Sequence, residues 1–325
     1  MTSRIAQLRV VVVAPGSRFD RAQLDENVAS LRNLGADVHV SENILRQGHP
    51  YLNGSDDERI AELQSALLRD DCDVIWLARA GYGLTRIVGK LDNLRRRSGP
   101  QAVVVGYSDA TAWHAQNYLS TAPQVHGPLI TELHQLTEGA HRHLMELLSN
   151  RCEKITMPLT KIRWNHERVV AVAGPILCAN LCVLSHLVGT TAFPNLRGSI
   201  LLLEDVGEPP YRIDRMMTQL RYSGSLDGVV ALVVGTFAKT THDKLLSSDA
   251  ACILATKDAE QAIVSAMEGM AIPVVGDAKV GHIRDNLAIW QGGAATITPA
   301  DVGGVDAMVL SVTRPTFWPG PRPSS

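Results

Sequence analysis

The chain has 325 residues, 45% of them hydrophobic and 20% charged, with 31 Lys and Arg against 33 Asp and Glu. That length implies about two domains rather than one core. A net charge of −2 without a basic stripe excludes an ordinary nucleic-acid binder, and no apolar run approaches the ~18 residues of a membrane-spanning helix.

The first half alternates strand and helix signals. "RVVVVAP" at 9–15 is a continuous apolar run, as in a strand buried on both faces. It follows a single Arg and lacks the cleavage site of a signal peptide, so a cytoplasmic location is expected. "RAQLDENVASLRNLG" predicts a helix with Leu24, Val28 and Leu31 on one face and Gly35 as its stop. "ADVHVSE" is a short strand. "SDDERIAELQSALLRD" opens with Ser55 and Glu58 in capping-box spacing. "CDVIWLA" is a strand, "LTRIVGKLDNLRRR" a helix, "AVVVGY" a strand and "DATAWHAQNYL" a helix. Arg95–Arg97 end the third of these helices, where they complement its dipole. Such alternation implies a parallel sheet with helices on both faces, an N-terminal α/β domain over 1–150.

From 151 to 170 the pattern is lost among charges, Pro and Trp, and the stretch reads as a connection. A second domain, 171–325, begins with "VVAVAGPILCANLCVLSHLVG", a strand running into a helix. "GSILLLED" is a strand, and "PYRIDRMMTQLRYSG" a helix with Pro at its start and Gly at its end. "GVVALVVGTF" is a strand and "DAEQAIVSAME" a helix before Gly269. "IPVVGDAKVGH", "NLAIWQGGAATIT" and "AMVLSVTR" read as strands and loops, and the tail "PTFWPGPRPSS" as extended.

Several lookalikes fail. In "GLTRIVGKL" the spacing from Gly83 to Gly89 is one residue too long for a phosphate loop, and Leu91 stands where Ser or Thr must bind magnesium. "ARAGYG" lacks the dinucleotide GxGxxG pattern. His126, His134, His141 and His143 lack the spacing of a metal site. Cys72, Cys152, Cys178, Cys182 and Cys252 are scattered, as free thiols of a reducing compartment are.

One constellation survives. Ser108 follows a strand and precedes a helix, at the carboxyl edge of the sheet where open α/β folds place their chemistry. "GYSDA" partly matches the nucleophile elbow G-x-S-x-G, with Ala110 in place of the second Gly. Read alone, Ser108 is first of all an N-cap, a favoured position for Ser. A nucleophilic serine needs a base and the base an orienting acid. Glu204 and Asp205 end one apolar strand, and His282 follows Gly281 in a loop after another. His114 lies inside the helix after Ser108, more than a turn away, and fits the base less well than His282.

Taken together, "APGS" (14–17), "ARAGYG" (78–83), "GYSDAT" (106–111), "HGP" (126–128), "LLLEDVGEPPYRIDRM" (201–216) and "GH" (281–282) resemble the LD-carboxypeptidase family of serine peptidases, which includes muramoyltetrapeptide carboxypeptidases and microcin C self-immunity amidases. The resemblance implies a flavodoxin-like N-terminal domain carrying Ser108 as nucleophile. It also implies a β-rich α/β C-terminal domain carrying Glu204 as the orienting acid and His282 as general base. Backbone N–H groups of Asp109 and Gly81 would form the oxyanion hole, and neither a metal nor an organic cofactor is required. The implied partner is a small peptide or peptidyl-nucleotide, and a homodimer is the family's usual assembly. Arg79, Arg212 and Arg215 are candidates for gripping a terminal carboxylate, with Tyr107 and Asn180 as further substrate contacts. Trp164 and Trp318 are candidate platforms for a nucleotide base. The sequence departs from the family at Ala80, where Gly is usual and a Cβ restricts positive φ. It departs also at "LCANL" (177–181) and through the charges Lys279, Arg284 and Asp285 around His282.

Overall fold

Five short strands in the first half satisfy their backbone groups by pairing in parallel: β1 (Arg9–Val13), β2 (Asp37–Val40), β3 (Val74–Leu77), β4 (Val103–Gly106) and β5 (Gln124–His126). Their spatial order, β2-β1-β3-β4-β5, is the flavodoxin-like one. The computed structural model describes residues 8–91, 101–164, 171–238, 250–300, 307–316 and 321. Strands β3 and β4 are buried along their whole length, which is why they read as unbroken apolar runs.

The first two helices form where their caps and apolar stripes predict them. In α1 (Arg21–Asn33) Asp20 accepts from Ala22 N, and Leu24, Val28 and Leu31 turn inward. Gly35, at φ 98°, ends it. In α2 (Asp56–Leu67) the Ser55–Glu58 capping box closes in both directions. The helix expected from 84 is cut short: α3 (Leu84–Ile87) passes into a 3₁₀ turn at Val88–Lys90, and Arg95–Arg97 lie outside the described residues. A 3₁₀ turn at Ser108–Ala110 leads into α4 (Thr111–Gln116). Helix α5 (Glu138–Leu148) has Thr137 as N-cap and buries Ala140, Leu144, Met145, Leu147 and Leu148.

The second half closes into a barrel. Its elements are β6 (Lys154–Arg163), β7 (Val172–Asn180), α6 (Leu181–His186), β8 (Ile200–Val206), α7 (Pro210–Tyr222), β9 (Ala231–Ala238), α8 (Ala250–Ala266), β10 (Val274–Gly276), β11 (Ile289–Trp290), β12 (Ala294–Pro299) and β13 (Ala307–Thr313). The barrel order is β10-β6-β13-β12-β7-β8-β9, with β7, β8, β9 and β10 parallel to one another. The stretch 151–170, expected to be a connection, therefore contains a full strand of the second unit. Ile155, Met157 and Leu159 face inward, while the Lys, Thr and Pro residues that obscured the pattern occupy the alternate, exposed positions.

Strand β11 does not join the barrel. It pairs antiparallel with β5, Ile289 opposite His126 and Trp290 opposite Val125, and becomes the sixth strand of the first sheet. A segment late in the chain thus seals the edge of the domain that carries Ser108. Both β11 residues are fully buried. Replacing Ile289 by Ala should lower stability by about 2–5 kcal/mol through the cavity left at this junction, measured by urea unfolding.

Candidate active site

Strand β4 ends at Gly106, and the chain turns sharply into α4 through Tyr107 and Ser108. Ser108 has φ 60°, a left-handed conformation that a side-chain-bearing residue adopts only when its surroundings impose it. Gly106 is needed here: a Cβ would fall 3.1 Å from Ala110 Cβ and 3.2 Å from Leu77 Cδ2. The methyl of Ala110 fills the space that Gly106 leaves open. Asp109 is buried, and its Oδ2 accepts from Leu84 N at 2.8 Å. Burial pushes its carboxyl up to about 6 against the pull of the Leu84 and Gly83 backbone donors. That bond ties the Gly-rich loop to the serine turn.

The same loop interlocks with the first one. Ser17 N donates to Ala80 O at 2.9 Å, and Tyr82 N donates to Ser17 Oγ at 2.9 Å. A Cβ on Gly16 would lie 2.1 Å from Ala80 O, so only Gly fits. The left-handed positions are Gly81 (φ 64°) and Gly83 (φ 137°), whereas Ala80 is not left-handed and is buried. Ala80 is thus accommodated, because the turn is carried by Gly81.

Glu204 lies near the end of β8, where the register with β9 slips between Leu203 and Asp205. Its side chain is 0% exposed, and its Oε2 accepts from His282 Nδ1 at 2.8 Å. The bond takes Nδ1 and leaves Nε2 as the ring nitrogen available for chemistry. Gly281, at φ 137°, brings the two together, since a Cβ there would sit 3.2 Å from Glu204 Oε2 and 3.0 Å from Thr236 O. Burial pulls the His282 imidazole down, but the Glu204 charge and hydrogen bond, helped by Glu132 and Asp205, leave it raised above 6.5. Burial pushes Glu204 up, but His282 above all leaves it lowered. Both shifts favour the charge-separated pair.

The Ser108 turn and the Glu204–His282 pair meet through Tyr107, whose ring centroid lies 4.5 Å from that of His282. Tyr107 is fully buried and donates its OH to Glu132 Oε1 at 3.2 Å. Tyr107, expected to touch substrate, is instead packed behind His282. Asn180, also expected as a substrate contact, is buried and occupied: Nδ2 donates to Asp205 Oδ1 at 2.9 Å and Oδ1 accepts from Val183 N at 3.1 Å. Arg212 lies 3.6 Å from Glu208, and Arg215 lies over the Tyr211 ring at 5.7 Å. Both arginines are on the exposed side of α7. Arg79, half-buried, is the arginine whose charge reaches Tyr107 and Glu132. Trp164 is buried at 8% exposure, so it offers no platform, and Trp318 lies outside the described residues. His114 is buried with Nε2 on Gly106 O at 2.8 Å. Sequence reasoning did not single out Glu132, which follows β5 in a 3₁₀ segment without periodic signal. Among the described residues no cluster of three His, Cys, Asp or Glu side chains has the arrangement of a metal site.

The fold is a flavodoxin-like parallel sheet followed by a barrel, and the turn that carries Ser108 approaches the buried Glu204–His282 pair through Tyr107. The chain belongs to the LD-carboxypeptidase family: residues 10–127 match the LD-carboxypeptidase N-terminal domain and residues 173–297 the C-terminal domain. It is 33% identical over 318 residues to a Streptomyces coelicolor chain described as a carboxypeptidase by name alone, covering 95% of this chain and 94% of that one. It is 28% identical over 249 residues to the murein tetrapeptide carboxypeptidase of Pseudomonas aeruginosa (74% and 80% covered). The crystal structure of muramoyltetrapeptide carboxypeptidase from Oxalobacter formigenes superposes with a TM-score of 0.75 at 25% identity (94% and 98% covered). The microcin C7 self-immunity protein in complex with glutamyl sulfamoyl guanosine shares the fold, with a TM-score of 0.74 at 15% identity (96% and 97% covered).

Two results should follow. A base must be unprotonated to accept a proton, and His282 is raised, so kcat/KM for peptide hydrolysis should climb with pH through a midpoint above 6.5; a pH–rate profile measures it. Gly281→Ala should reduce kcat by about 10²-fold or more by forcing the Glu204–His282 contact apart, seen in steady-state kinetics with circular dichroism as the control for folding.

Proposed function

We propose that the protein is a serine carboxypeptidase that releases D-Ala from a murein tetrapeptide in the cytoplasm, with Ser108 as nucleophile, His282 as general base and Glu204 as the acid that orients it. The observation that carries the reading is the 2.8 Å Glu204–His282 contact, with the ring of Tyr107, next in sequence to a serine at φ 60°, packed 4.5 Å from that of His282. Ser108 Oγ attacks the amide carbonyl while His282 Nε2 takes its proton. Glu204 stabilises the imidazolium, and backbone N–H groups of Asp109 and Gly81 hold the oxyanion. His282 then protonates the leaving amine, and water repeats the sequence on the acyl-enzyme.

The substrate assignment draws on the names of the relatives and on Arg79, a planar cation beside the site and suited to a terminal carboxylate. Arg212 and Arg215, both turned outward, are poorer candidates. The alternative, an amidase acting on a microcin C-type peptidyl-nucleotide, asks for an aromatic platform for the base, and the burial of Trp164 removes one of the two residues expected to supply it. A peptide-binding protein without turnover has no use for a strained, half-exposed serine.

Ser108→Ala should lower D-Ala release from the tetrapeptide by about 10⁴-fold or more, followed by chromatography of the products, and retention of the wild-type rate would sink the mechanism. Arg79→Ala should raise KM by about 10–100-fold, the loss of one charge-assisted pair, and a peptide amide lacking the carboxylate should not discriminate between the two enzymes. Faster cleavage of a peptidyl-nucleotide than of the tetrapeptide would exchange the first reading for the second.

A further inference from the structure

His126 closes β5 and is fully buried, yet neither of its ring nitrogens has a hydrogen-bond partner among the described residues. Burying an imidazole this way gives up its hydration for little in return, and Phe or Leu would fill the same place without that cost. One carboxylate oxygen faces it. Glu204 Oε1, buried and without a hydrogen bond of good geometry among the described residues, lies 3.9 Å from His126 Nε2, with the Asn180 amide as the carboxylate's other polar neighbour. The other oxygen of that carboxylate, Oε2, is the one held by His282. The acid is therefore flanked by two imidazoles, one on each oxygen, supplied by the two domains.

We propose that His126 is a positioning residue for the Glu204–His282 pair: an uncharged imidazole, protonated on Nε2, that lends an N–H to the second oxygen of Glu204 and holds the carboxylate against the base. The inference rests on the Ser108–His282–Glu204 reading above.

The remaining gap exceeds a hydrogen bond by about 1 Å, and such contacts tighten when substrate is engaged. The surroundings keep His126 neutral. Burial pushes it down to about 3, with Glu204 and, more weakly, its own backbone pulling upward and His114 and His282 pushing it down. The Tyr107 ring stands edge-on at 5.7 Å, and His114 on α4 lies at 6.5 Å. A charged His126 would compete with the His282 imidazolium for the same carboxylate, whereas a neutral N–H donor steadies the acid and leaves its charge to the base. No proton is exchanged at His126 during the reaction.

His126→Phe keeps a flat aromatic ring, somewhat larger, and removes the donor, whereas His126→Gln keeps an amide N–H near the position of Nε2. His126→Phe should lower kcat by about 10–100-fold with KM changed less than about twofold, because substrate does not touch this residue. Without the donor, more charge rests on Glu204 and His282 becomes more basic, so the acid limb of the pH–rate profile should move to higher pH. His126→Gln should restore most of kcat and return the limb. In the wild-type protein, selectively ¹⁵N-labelled histidine should show His126 as the neutral Nε2–H tautomer from about pH 5 to 9, while His282 titrates. Wild-type kcat and limb in His126→Phe, a Gln variant no better than Phe, or a second proton taken up by His126 in that range overturns the assignment. Glu204→Gln separates the two readings. If it is crippled while His126→Phe is normal, only the His126 role falls; if Glu204→Gln runs at full rate, the triad itself is wrong.

Discussion

A carboxylate without water is the constraint on which this structure turns. Glu204 and Asp205 are consecutive and both buried at the end of β8, and buried charge is tolerated only where it is paired or neutralised. The two acids divide the available partners. Glu204 takes His282, whereas Asp205 accepts from Asn180 Nδ2, Cys182 N and Val206 N. Burial, followed by the neighbouring Glu204, pushes Asp205 up to about 7, so the strand end does not have to sustain two full negative charges near neutral pH. One carboxylate serves the imidazole and the other holds the barrel's own loops.

The partition extends to the other domain. Asn180, opposite Glu204 in the β7–β8 register, donates its backbone N–H to Thr111 Oγ1 at 2.8 Å at the start of α4. Tyr118, just past α4, donates to Pro175 O at 3.0 Å and accepts from Ser199 Oγ at 2.9 Å. The helix that follows Ser108 is thus bolted to the barrel at both ends. With Tyr107 against His282 and Asp109 on Leu84, the turn is gripped on every side. That over-determination is what holds Ser108 in its left-handed conformation.

Much of this was legible in the sequence where a residue type has one physical use. Unbroken Val and Ile runs meant doubly buried strands, and Ser55 with Glu58 meant a capped helix. The acids after "LLL" and the His after Gly281 stood at strand exits, where the structure brings them together. What was not legible depended on partners distant in sequence. The β6 alternation was hidden because its exposed positions carry Lys, Thr and Pro. Two residues, Ile289 and Trp290, make too short a strand to announce which sheet they join. Asn180 and Tyr107 sit in the right motifs, but motif membership says nothing about orientation, and both turn away into packing. Nor could any local pattern reveal that the lone His126 shares a carboxylate with His282, since β5 and β8 meet only after the domains dock.

The two-residue β11 has a consequence for how the molecule comes into being. Until residues 289–290 arrive, β5 is an open sheet edge with unpaired N–H and C=O groups. On the ribosome, where N-terminal units fold first, the Ser108 domain emerges with that edge bare and with His126 on it. Completion of the sheet waits for a segment that follows β10 and the His282 loop in the chain. The serine turn and the Glu204–His282 pair therefore share a finished sheet only after residues 289–290 have been made.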